Sequence, residues 1–292
     1  MGEDGNIGSG ATLASSPSAS PMSDAQEPRG PKQWMLGSMA DYLDPSTSLS
    51  GSSSENSPDW ELAIELRFLA ELRRDAVAQI SQMSITQRAD LTAYEPKLVD
   101  RLTRRYLSFL NDTLPIFHEP ELIELVATVR NNIDVTSSRK SLAHLVIALA
   151  FATLARAQHR SSELARCAKL HWTVAQATVP SVMQRADIAK LQVTLLMLQY
   201  TLLFPESGNS WELSGSALRL AAALSLYREA RDQTHTSSTS SLRRNLFWTA
   251  YCLDVSLSVA LARPTAICDS WITTKVSVAS VDGLCAELVH VH

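Results

Sequence analysis

An all-α fold, a multi-helix array around a buried central helix, is what three observations on the sequence predict. From residue 58 onward apolar residues recur at helical spacing in one segment after another. Those segments open or close on Pro, Asp or Asn, residues that start and stop helices. One stretch, LRRNLFWTAYCLDVSLSVALARP at 242–264, is apolar on every helical face, and such a helix belongs inside a core. It is the predicted central helix. The one weak sign of strand-like alternation is WITTKVSVASV at 271–281.

Residues 1–57 are rich in Ser, Gly and Pro and hold seven acidic against two basic side chains, a composition that predicts a disordered tail. Within it QWMLGSMADYLD at 33–44 interleaves Trp34, Leu36, Met39 and Tyr42 with Asp41 and Asp44. That pattern reads as a linker touching the domain, or as an activation segment that folds as a short helix in a partner's groove. The helical domain should span 58–280, followed by a short tail over 281–292. Ser57-Pro58-Asp59 supplies a cap, a first-turn proline and an acid at the positive end of the dipole, for a helix running to about Ile80 or Met83. Its Leu62, Leu66, Leu69, Leu72 and Ala76 share a face, which a second copy of the chain could meet in a coiled coil.

Pro96 precedes a helix over 97–111. LPIFHEPEL at 114–122 then sets Ile116, Phe117 and His118 between prolines, an extended stretch pinned over a core, with Pro120 able to start a helix over 120–131. Further helices are predicted over 138–158, 161–178, 186–204, 209–228 and 240–263. Asp187 precedes a stripe of Ile188, Leu191, Leu195, Leu198 and Leu202 that Pro205 ends, and Asn209 with Glu212 has the spacing of a capping box. Gly215, Ser216 and the alanines 221–223 keep 209–228 slim enough for a close neighbour. RDQTHTSSTSS at 231–241 reads as a polar loop open to modification.

A net charge of -4, close to neutral outside the tail, leaves no basic footprint for nucleic acid. The four widely separated cysteines read as reduced, intracellular thiols, with Cys167 and Cys252 as core residues. The N-terminus lacks the basic and apolar regions of a secretory signal. The most apolar window, Leu142 to Ala155, is shorter than the roughly 20 residues of a membrane span and reads as a core helix. GxSxG, the phosphate-binding loop, HExxH and paired-acid spacings are missing from the sequence. His118 and Glu119 are adjacent in an extended stretch and so point apart. Cys268, Cys285, His290 and His292 lack the short spacing of a structural zinc site. No catalytic residue, cofactor or metal is expected.

Four landmarks stand in order: LPIFHEPEL, the glutamine-bearing KLQVTLLMLQYTLL at 190–203, WELSGSALRLAAALSLYREA at 211–230 and RRNLFWTAYCLDVSLSVALARP at 243–264. Over about Leu102 to Ala279 the chain thereby resembles the fungal-specific transcription factor domain, the helical middle region of fungal zinc-cluster regulators. Tyr227, Phe247 and Ala262 stand where that family often has His, Trp and Gly. The C-x2-C-x6-C of a zinc cluster occurs nowhere in the sequence, so zinc binding and direct DNA reading are not carried over. The resemblance implies a nuclear transcription regulator of a metabolic or biosynthetic gene set, or a shortened relative of one. It would act without enzymatic chemistry, through protein partners of the transcription machinery, a full-length regulator or a small-molecule effector. DNA would be reached indirectly or through missing sequence, and no membrane is implied. The alternative is a helical interaction or dimerisation scaffold with no direct transcription role.

Six residues are structural or effector candidates. Asp254 lies inside an apolar run, and a buried carboxylate needs a cation or donors. Arg219 on the preceding helix is the expected partner; Arg263, half a turn round from Asp254, is a poor one. Arg243 and Arg244 sit at a helix N-terminus, where the dipole disfavours cations. They need outside acids, Glu229 first, or a ligand anion. Trp248, on the same helix, completes the set.

Overall fold

The computed structural model describes residues 59–133, 135–156, 161–229 and 237–275. The expected tail with its segment 33–44, the Ser57-Pro58 cap, most of the loop 231–241, residues 276–281 of the strand-like stretch and the last residues with Cys285, His290 and His292 lie outside them. Nine α-helices and no strand occur among the described residues. They are α1 (Asp59–Ser81), α2 (Ile85–Arg88), α3 (Pro96–Tyr106), α4 (Glu119–Arg130), α5 (Ser137–Arg156), α6 (Ser162–Met183), α7 (Ile188–Leu203), α8 (Ser210–Ala223) and α9 (Ser237–Leu261). A π-helical turn, Leu107–Asn111, continues α3. The described part of 271–281 follows a short 3-10 turn, Asp269–Trp271, and forms no strand.

Local chemistry sets most boundaries. Asp187 Oδ1 accepts from the Lys190 amide at 2.9 Å and caps α7. Asn209 accepts from the amides of Trp211 and Glu212 at 3.1 and 3.4 Å, so α8 has the cap half of the expected box. The reciprocal box forms instead at α2, between Ser84 and Gln87. α6 overruns the expected end at 178, with Pro180 inside the helix, and stops at Met183. A proline this near the end removes only a last-turn hydrogen bond.

α8 stops at Ala223, short of the expected 228, because Ser225 turns left-handed at φ 56°. The Leu226 and Ser225 amides then bond to the carbonyls of Ala221 and Ala222, both at 2.9 Å. This paired closure recurs after α4, at Asn132 (φ 55°), and after α9, at Ala262 (φ 50°). Ala262, before Arg263-Pro264, thus occupies a backbone conformation that favours Gly.

α5, rather than α9, takes the central place. Every residue from Ser141 to Ala155 is buried, and α5 packs on α3, α4, α6 and α7. α9 is buried from Asn245 to Asp254 but opens at its far end, where Val259 is 43% exposed. Both sequences are apolar all round; the alanines of α5 let four neighbours close in. At 20 residues α5 is long and apolar enough to cross a membrane by length and composition, longer than the window read from sequence, yet 83% of its most apolar window is buried inside the protein.

Two buried histidines of this core pair with each other. His144 and His171 face across α5 and α6 with their Nδ1 atoms 2.9 Å apart, one donating and one accepting. The His171 ring stacks on Phe151 at 5.7 Å and lies 5.6 Å from Tyr94. Burial holds both imidazoles below their usual range. Cys167 beside them is a free buried thiol, pushed up by the same burial. Cys252 departs from the expectation of reduced thiols, being disulfide-bonded.

The 114–117 stretch is extended and buried as expected, with His118 half-buried after it, and its backbone needs partners there. Asn111 supplies most of them. Its Oδ1 accepts from the amides of Ile116 and Phe117, both at 2.9 Å, and its Nδ2 donates to the Phe117 carbonyl at 3.1 Å. Gln192 of α7 donates to the Ile116 carbonyl at 3.1 Å and Thr249 of α9 to that of Pro115 at 3.0 Å. One short stretch thereby ties α3, α7 and α9 together.

Candidate functional site

The six candidate residues fall in one region, the antiparallel pair α8 and α9 and the segment that returns along it. Arg243 lies against the C-terminal end of α8, where its Nη2 donates to the carbonyl of the cap residue Leu224 at 3.2 Å. The negative end of the α8 dipole offsets what the start of α9 disfavours. Arg263, at the opposite end, places its guanidinium 5.2 Å from the ring centre of Trp211 in the first turn of α8.

Arg244 finds the expected acid. Its Nε donates to Glu229 Oε2 at 3.3 Å and its Nη2 to Oε1, a two-pronged ion pair. The same carboxylate accepts from the Lys275 amide at 3.0 Å. The bond from Arg244, and then that from Lys275, hold Glu229 below the usual carboxylate range. Trp248, with 7% exposure, donates its indole N–H to the Lys275 carbonyl at 2.9 Å.

Asp254 is fully buried, as its setting predicts. Its donors differ from the expected one. Oδ1 accepts from the Ser214 hydroxyl at 3.3 Å and Oδ2 from the Ala266 amide at 2.8 Å. Arg219 is exposed and attracts the carboxylate only through space. Its guanidinium folds back over Gly215, where an added Cβ would stand 3.0 Å from Nη1. At that position the missing side chain makes room for Arg219. Burial raises the Asp254 pKa, while the two hydrogen bonds and then Arg219 oppose the rise.

Trp248, Tyr251, Asp254 and Ser258 recur at helical spacing and all grip the returning segment. Tyr251 donates to Asp269 Oδ1 at 2.8 Å and Ser258 to the Pro264 carbonyl at 3.3 Å. The amides of Thr273 and Thr274 close the far side on the Tyr227 carbonyl, at 2.9 and 3.1 Å. Chemically, the arrangement fixes 264–275 against α9 and against the turn after α8. Among the described residues no group of three or more His, Cys, Asp or Glu could hold a metal ion. Sequence reasoning missed Ser214 and the recipients on 266–275, because a hydroxyl among small residues and a backbone amide carry no pattern. It also missed Asn111, Gln192 and Thr249; a polar residue inside an apolar run was the available signal.

Fold and site define a class: a helical domain whose buried polar side chains secure its own segments. The model of the fungal specific transcription factor domain matches residues 103–277, more than half of the chain, and the chain belongs to that family. It is similar to pyrimidine pathway regulatory protein 1 of Saccharomyces cerevisiae, 34% identical over 33% of this chain and 11% of that protein. It is also similar to a negative regulator of pleiotropic drug resistance of Candida glabrata, 28% identical over 51% of this chain and 15% of the relative. A third relative is the fusaridione A cluster transcription factor of Fusarium heterosporum, 25% identical over 56% of this chain and 31% of the relative. The chain spans less than a third of the length of each. No solved structure matches.

Proposed function

We propose that the chain works as the regulatory helical part of a nuclear transcription regulator controlling a metabolic or biosynthetic gene set. The observation that carries this reading is the family match over 103–277, to which relatives named as regulators of transcription and of pathways add support. The domain acts by presenting surfaces to protein partners, among them a full-length regulator, and by responding to a small effector. It performs no chemistry of its own, and DNA is reached indirectly or through further sequence. Arg243, Arg244, Asp254 and Trp248 serve as structural fasteners within it, each already bonded to protein groups.

The test is deletion of the gene with transcript profiling, alongside imaging of a tagged chain. A coherent set of changed transcripts and a nuclear signal are expected. Exclusion from the nucleus with no transcript changed would favour the scaffold reading.

A further inference from the structure

α1 lies antiparallel along α3, since Asp75 pairs with Arg101 while Glu65, earlier in α1, reaches Arg105 one turn further along α3. Its first half is loosely held. From Ala63 to Glu71 no residue is buried, and burial begins only at Leu72. A segment with so few buried contacts opens locally at small cost.

Under that half lies a buried charge. The Arg105 side chain is 2% exposed, and its Nε and Nη2 have no hydrogen-bond partner. The guanidinium lies 4.3 Å from the centre of the Phe109 ring. Its paired acid, Glu65, is 61% exposed and stands with Oε1 3.6 Å from Nη1, beyond hydrogen-bond reach. Burial pushes Arg105 down to about 10, against the attraction of Glu65. A buried cation with two idle donors is destabilising where it stands.

The idle pair says what would satisfy it. Nε and Nη2 are the two donors by which Arg244 takes the Glu229 carboxylate in the clasp, and in Arg105 the same fork is empty. α1 shows the rest of the chemistry, a helix that brings an acid to this place. We propose that the first half of α1 is a displaceable cover, and that an acidic helix of a protein partner takes its place on α3, setting a carboxylate on Arg105 Nε and Nη2. The proposal rests on the partner part of the function proposed above. Its test reads peptide binding alone, so its failure is distinguishable from a failure of the transcript experiment.

A fluorescent peptide of residues 59–73 serves as the acidic helix, and its anisotropy is read against the full chain. Glu65→Gln in the chain weakens the cover, so the peptide, which keeps its own glutamate, should bind that variant about tenfold more tightly than the unchanged chain. A peptide that itself carries Glu65→Gln should lose the gain. Arg105→Met fills the space without charge and should abolish the preference for the glutamate peptide, with the helical circular dichroism unchanged. Should that variant misfold, the two peptides decide on the Glu65→Gln chain. Amides over 63–71 should also exchange well before those over 72–80. Equal affinity for the two chains or for the two peptides, a preference that survives Arg105→Met, or equal protection over 63–71 and 72–80 would overturn the proposal.

Discussion

The α5–α6 core and the α8–α9 clasp bury polar groups in opposite ways. In the core, His144 and His171 join their Nδ1 atoms across two helices, with aromatic rings around them and His171 Nε2 buried without a partner, and their shared hydrogen bond needs one lone pair and one N–H. Such a pair needs at least one neutral ring, and burial disfavours charging either of them. In the clasp, Arg243, Arg244, Trp248 and Asp254 reach main-chain groups or an opposite charge on a segment distant in sequence. Charge there is part of the bond. The core should therefore be sensitive to acid, and the clasp to salt and to single truncations.

The join between the two regions should break both at once, with the largest effect. Asn111→Ala leaves two buried amides and a buried carbonyl of 116–117 unpaired. At about 1–3 kcal/mol for each unsatisfied group, a loss of about 3 kcal/mol or more is expected in urea unfolding. Since Thr249 of α9 and Gln192 of α7 hold the same stretch, exchange protection should fall on both helices. A loss confined to α3 would mean that the stretch does not couple them.

Acid should separate the imidazole pair from Asp254 by sign, while Glu229 of the clasp shares the sign of the imidazoles. Both imidazoles are depressed when folded, so their contribution is fully present above the ordinary histidine value of about 6.5 and is lost as pH falls below it. The slope should approach about 1.4 kcal/mol per pH unit for each ring. Asp254 has the opposite sign. Its folded pKa is raised, so its contribution is present below the unfolded carboxylate value and lost as pH rises through the folded one. Replacing His144 and His171 together by Leu and Phe should flatten the acid slope, and Asp254→Asn should leave it intact. If the double replacement keeps the slope, acid sensitivity lies elsewhere.

Within the clasp, Arg244→Ala and Glu229→Ala in a double-mutant cycle should show a coupling of about 0.5–1 kcal/mol, shrinking with added salt, because both side chains are about one-third exposed. The cycle at Asp254 and Arg219 should give less, their attraction being through space. A larger coupling there would restore Arg219 as the partner of Asp254.

The two regions were unequally legible in the sequence. The Glu229–Arg244 pair could be anticipated, because two arginines at a helix start demand an acid and the turn before them carries one. Helix order could be read because Pro96, Asp187 and Asn209 act locally. The central helix could not be told from α9, since both 142–155 and 242–264 are apolar all round and periodicity does not count neighbours. His144 meets a residue 27 positions away, and no local pattern announces that meeting. Asp254 was legibly buried, but its donors were a serine hydroxyl and a backbone amide, which sequence spacing leaves unmarked.

A comparably small effect concerns how helices end, and it carries a sign opposite to the others. α4, α8 and α9 close alike, with Asn132, Ser225 and Ala262 in the left-handed region. A left-handed L-residue costs about 1–2 kcal/mol, while Gly gives back about 0.5–1 kcal/mol in unfolded-state entropy. Ala262 is exposed, so removing its methyl group forfeits no packing. Ala262→Gly should therefore stabilise the protein by about 0.5–1 kcal/mol, seen as a higher urea midpoint at unchanged slope. Asn tolerates this conformation through its own side chain, so Asn132→Gly should gain less than Ala262→Gly. Equal gains at both positions would show that side-chain conformation at these closures does not set their stability.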